Sequence, residues 1–74
     1  MFDPVDMMYD YEVFSKQKLE LFNLLIKIDL GQIKRENLPV PVGIIEQHYR
    51  CLDAYTSVLA LSLGMMDVPL PKLE

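Results

Sequence analysis

The sequence predicts an all-α protein: an antiparallel helical hairpin with a short N-terminal helix or extended arm, assembled as a dimeric four-helix arrangement. Three observations predict it. Residues 15–33 and 41–63 repeat apolar side chains at helical rather than strand spacing. A connection carrying two prolines, Leu38-Pro39-Val40-Pro41, separates the two stretches. The first stretch also bears two apolar faces, where a helix on a protein surface needs one.

The elements follow in chain order. Residues 1–14 read MFDPVDMMYDYEVF and carry Asp3, Asp6, Asp10 and Glu12 without a base. Asp3-Pro4 is a helix start, because aspartate caps exposed backbone N–H groups and proline suits the first helical position. A short helix over residues 4–11 is therefore one expectation, and an extended arm that docks on a partner is the other. The mixture of acids with aromatic and methionine side chains resembles acidic-hydrophobic interaction segments. Phe2, Met8, Tyr9 and Tyr11 are its candidate partner-binding residues.

Ser15 opens the first long helix. At about 100° per residue, Phe14, Leu21, Leu24, Leu25 and Ile28 share one face. Leu19, Phe22, Ile26, Leu30 and Ile33 share a second, roughly 140° away. Lys16, Glu20, Asn23, Lys27 and Lys34 form the polar stripe, with Lys18 and Asp29 in a gap between the apolar faces. Gly31 stands near the expected end. Residues 34–42 break the pattern, since each proline disfavours helix in the residue before it.

The second helix is expected from residue 41 to about 63, stopped by Gly64. Ile44, Ile45, His48, Cys51, Leu52, Tyr55, Val58, Leu59, Ser62 and Met66 share one wide face, assigned to the core, while Leu61 and Met65 flank the fading polar side. Residues 67–74 are expected to form a simple frayed, extended tail, the alternative being that its Val68 and Leu70 strap across a neighbouring subunit. Its Pro69-Leu70-Pro71-Lys72 run lacks the spacing of a proline-rich ligand.

Size and charge narrow the function. A chain of 74 residues makes one domain with a marginal core. It has one cysteine and one histidine, so neither an internal disulfide nor a zinc site can stiffen it. A partner chain is the remaining stabiliser. A net charge of −4 opposes direct nucleic-acid binding, and Lys34-Arg35 is too small a basic cluster to reverse that. The longest uncharged stretch, residues 54–66, would span about 20 Å as a helix, short of the ~30 Å apolar membrane interior. The acidic N-terminus does not look like a secretory leader, so a cytoplasmic location is expected.

No residue set reads as catalytic. His48 and Cys51, at i and i+3, form a possible base and nucleophile. No glycine-rich loop accompanies them to stabilise an oxyanion, and both fall on the presumed core face. The acid pairs Asp3/Asp6 and Asp10/Glu12 lack the alternating ligands of a calcium loop. Tyr55 is expected in the core with its hydroxyl at the rim. No cofactor or metal is expected.

A hairpin leaves the second face of the first helix uncovered, and an apolar patch of that size marks an interface. The expected interface is Leu19, Phe22, Ile26, Leu30, Ile33, Tyr49, Leu61 and Met65. The expected function is a non-enzymatic structural or adaptor subunit that self-associates, a dimer above other assemblies. The alternative is a small acidic regulator that binds an enzyme or a nucleic-acid-binding protein.

Overall fold

The structure, a computed structural model, describes residues 3–70. Two long helices, α1 (Pro4–Asp29) and α2 (Val42–Met65), are joined by a connection containing one 3-10 turn, Arg35–Asn37. Asp3 lies in extended backbone and its side chain accepts a hydrogen bond from the Val5 N–H at 2.9 Å. Pro4 takes the first helical position, and Asp6 in the first turn complements the positive end of the helix dipole.

The expected division at Ser15 is absent. Residues 4–14 are neither an extended arm nor a separate short helix, but the first turns of α1. The physical reason is that no glycine or proline occurs between Pro4 and Gly31. The change from acidic-aromatic to mixed residues alters composition without altering backbone preference. Glu12 and Lys16 form an i,i+4 ion pair at 3.2 Å across the junction, with the acid on the favourable N-terminal side. Ser15 is buried rather than capping a helix start.

α1 ends at Asp29, one turn before the expected 33. Gly31 adopts the left-handed conformation, φ +75°. The Gln32 N–H then reaches the Lys27 carbonyl at 2.9 Å and the Gly31 N–H the Ile28 carbonyl at 3.1 Å, a Schellman ending. No atom lies within 4 Å of where a Gly31 Cβ would stand, so the demand for glycine there is conformational rather than steric.

α2 runs past Gly64, the expected stop, to Met65. The left-handed residue is Asp67, φ +58°. The Val68 N–H bonds the Leu63 carbonyl at 2.9 Å and the Asp67 N–H the Gly64 carbonyl at 3.1 Å. The same motif thus closes both helices, once with glycine and once with aspartate. Val68 anchors the second by packing on the cluster that contains Leu63. Val68 is therefore packed against its own chain.

Cross-helix contacts show the antiparallel register. Asp10 and Phe14 meet Tyr55, Lys18 meets Asp53, and Phe22 meets Tyr49. Each step along α1 is a step back along α2. The buried apolar side chains are Met7 and Ile28 on α1, and Ile45, Leu52, Leu59 and Leu63 on α2. Ser15 and Thr56 are the buried polar residues, and the Thr56 hydroxyl is satisfied by the Leu52 carbonyl at 2.8 Å.

The wide α2 face is not all core. Ile45, Leu52 and Leu59 are buried, but Ile44, His48, Cys51, Tyr55, Val58 and Met66 are exposed. One helix covers only a narrow stripe of another, and the flanks of a wider face stay open. The molecule measures 44 × 23 × 15 Å with a radius of gyration of 14.7 Å. A compact chain of this length would have about 11 Å. The short dimension is little more than one helix diameter, about 10–12 Å, so the hairpin is a single layer.

Candidate functional site

A single layer of two helices has two broad sides, and α1 dictates their character. On one side, Tyr11, Ser15, Lys16, Lys18, Leu19, Phe22 and Tyr49 line a groove of about 310 Å³. A second, smaller hollow of about 250 Å³ continues it toward the connection through Phe22, Ile26, Arg35, Val42 and Tyr49. Phe22 and Tyr49 lie between the two, their ring centroids 5.9 Å apart and tilted by 33°. Lys18 bridges the helices to Asp53 at 3.2 Å, its aliphatic stem lining the groove while its ammonium is paired.

Four of the expected interface residues therefore converge. Leu19, Phe22, Ile26 and Tyr49 lie along this groove, with Leu19 57% exposed and Tyr49 half-buried. Leu30, at 68%, is exposed beyond the end of α1. Ile33 is half-buried in the connection, outside the helix on which it was expected. Leu61 and Met65 are exposed, the latter at 80%, but they lie near the far end of α2 and line none of these hollows. The eight residues do not form one patch.

The candidate arm divides likewise. Met8 and Tyr11 pack on the Met7, Leu59 and Leu63 cluster of their own chain. Tyr9 is exposed. Phe2 lies outside the described residues, as do Pro71 and Lys72 of the proline tail.

The opposite side carries residues assigned to the core from sequence. Gln17, Glu20, Leu21, Leu24 and His48 share a hollow there. Ile44 and Val58 are apolar and exposed. The signal that could have found them was the width of the α2 face, which is more than one covering helix can bury. His48 and Cys51 are both exposed, which corrects their assignment to the core. No group of three His, Cys, Asp or Glu side chains that could hold a metal ion occurs among the described residues.

Tyr55 is at the rim rather than in the core. Its ring meets Phe14 edge to face at 5.4 Å, and its hydroxyl donates to Asp10 Oδ2 at 3.1 Å. Reduced access to water raises its pKa above the ordinary tyrosine value, and the hydrogen bond and negative charge of Asp10 add to the effect. The arrangement holds a neutral phenol against a carboxylate and ties α2 to the first half of α1. No described helix is long and apolar enough to cross a membrane.

Comparison with protein families, with curated proteins and with solved structures finds no match to this chain.

Proposed function

We propose that this protein is a non-enzymatic interaction module, a small structural or adaptor subunit whose first partner is a second copy of itself. The observation that carries the proposal is the exposed row Leu19, Phe22, Ile26 and Leu30 on a hairpin one helix thick. Its accessible surface is 5670 Å². A compact protein of this mass exposes about 4,700 Å². The excess, near 1,000 Å², is comparable with the ~800 Å² that each partner buries in a standard interface. Large apolar side chains contribute about 1.5–3 kcal/mol each when fully buried, enough for several of them to outweigh the entropy cost of association. A copy of the same hairpin offers an equally long apolar row, and pairing the two yields a four-helix arrangement with closed twofold symmetry.

The acidic-regulator reading receives less support. Of the four acids that would meet a basic target, Glu12 is paired with Lys16, Asp10 accepts from Tyr55 and Asp3 caps α1. Only Asp6 has no such engagement within the described chain.

Light scattering after size exclusion, over a hundredfold concentration range, tests the proposal. The expected mass is twice 8.6 kDa at high concentration. Ile26→Asp is expected to give a monomer that keeps its helical circular dichroism. A wild-type chain that stays monomeric throughout overturns self-association, and Ile26→Asp unfolding at every concentration places that side chain in the fold instead.

A further inference from the structure

We propose that the groove lined by Tyr11, Phe22 and Tyr49 is a binding site for a small neutral aromatic molecule, a compact ring carrying one hydrogen-bonding group such as a phenol hydroxyl. Those three rings and the Leu19 side chain give the groove an apolar lining. Its volume, about 310 Å³, stands at the lower end of the ~300–1,000 Å³ of small-molecule sites. The space has a sequence cause. Tyr11, Ser15 and Leu19 follow one another in steps of four along one face of α1, and the serine is too short to fill the gap between its two large neighbours. The Phe22–Tyr49 ring pair stands between this groove and the second hollow. The groove therefore suits a compact ring rather than an extended chain.

Ser15 supplies the polar contact. It is 7% exposed and lines this groove. The other buried hydroxyl, on Thr56, turns back to the Leu52 carbonyl at 2.8 Å. The Ser15 hydroxyl makes no hydrogen bond to any described residue. No fully buried side-chain oxygen among the described residues lacks a partner, so the Ser15 Oγ is reachable from the groove that Ser15 lines. It is one donor and acceptor beside three aromatic rings, the kind of placed polar group that orients a ligand in an apolar site. Charge sets the ligand class. Lys16 and Lys18 also line the groove, but each ammonium lies 3.2 Å from a carboxylate, on Glu12 and Asp53 respectively. An anion would have to compete with those carboxylates, whereas a neutral ring packs against the aromatic side chains and leaves both ion pairs intact.

NMR titration of the isotope-labelled full chain with p-cresol, toluene, p-toluate and N-acetyltyrosinamide tests the site. Leu19 and Phe22 also belong to the row proposed for self-association, so the titration is run at a low and a high protein concentration. The groove lies within one chain, and its occupancy does not depend on whether copies pair. Saturable shifts with p-cresol are expected at Tyr11, Ser15, Leu19, Phe22 and Tyr49. Ser15→Ala, with its helical circular dichroism unchanged, is expected to weaken p-cresol about fivefold, the value of one hydrogen bond, and to leave toluene unaffected. No saturable shift at either concentration overturns the proposal, as do shifts centred on the opposite hollow at His48. An equal loss of p-cresol and toluene in Ser15→Ala removes the hydroxyl from the site and overturns its role. Tighter binding of p-toluate overturns the neutral class, and tighter binding of N-acetyltyrosinamide makes the groove a seat for a partner's side chain instead of a free molecule.

Discussion

The two ends of the hairpin are built from similar residues and fare differently. Where α1 begins and α2 ends, Met7, Leu59 and Leu63 form a buried cluster covered by Met8, Tyr11 and Val68. At the connection end Ile28 and Ile45 are buried without a comparable cluster, and apolar side chains stay exposed at both ends, Val5, Leu61 and Met65 at the first and Ile26, Leu30 and Ile44 at the second. The difference is not hydrophobic content. At the first end, the Schellman turn at Asp67 folds Val68 back over the helix pair as a third element. At the other end the chain leaves through Gly31 into a polar turn and two prolines, in which Ile33 and Leu38 are only half-buried and no buried cluster forms. Two cylinders bury only their line of contact, and every further apolar side chain needs a third body.

Truncating the two ends should sharpen that contrast. Leu63→Ala removes the only fully buried large side chain among the described residues, and is expected to cost about 2–5 kcal/mol. A chain this size has roughly 4–11 kcal/mol in all. Leu30→Ala should cost the isolated chain less than about 0.5 kcal/mol while weakening its assembly. Urea unfolding at low and high protein concentration measures both effects. If Leu30→Ala proves as damaging as Leu63→Ala at low concentration, the connection end has cover of its own.

The matching helix endings give a second, smaller contrast. Gly31→Ala forces a Cβ into left-handed backbone and should cost about 1–2 kcal/mol. Asp67→Gly relieves the corresponding strain, and should stabilise by up to about 1 kcal/mol, less what the more flexible unfolded chain takes back. Thermal unfolding of the two variants should shift in opposite directions. A shift of the same sign in both would mean that the two endings are not equivalent in solution.

The smallest effect concerns the tie between α2 and the first half of α1. Because the folded state holds the Tyr55 proton more tightly, its contribution is complete below the ordinary tyrosine pKa of about 10 and is lost as pH rises through the folded value. Tyr55→Phe should therefore lose stability modestly at neutral pH and show a weaker decline above pH 10 than the wild type. An unchanged alkaline decline would mean that Tyr55 does not cause it.

Much of the fold was legible in the sequence. The two helices, the break between them and the start at Asp3-Pro4 follow from local chemistry, since periodicity, proline geometry and capping act within a few residues. The second apolar face of α1 was also legible, and Leu19, Phe22 and Ile26 lie along one groove with Tyr49. What misled was composition. The acidic-aromatic character of residues 1–14 suggested a separate arm, although nothing in them breaks a helix. Gly64 suggested a helix stop, although glycine ends a helix only where the backbone turns left-handed, and here Asp67 does so.

By itself, then, the sequence determined that two long helices flank a proline break and that α1 has more apolar surface than one neighbour can use, because both are properties of spacing along the chain. Only the tertiary structure decided which side chains are covered. It put Met8 and Tyr11 into the chain's own cluster, opened Ile44, His48, Cys51 and Val58 to solvent, and separated Leu61 and Met65 from the groove. A helical wheel ranks directions, but burial depends on where the second cylinder lies and how narrow a stripe it can touch.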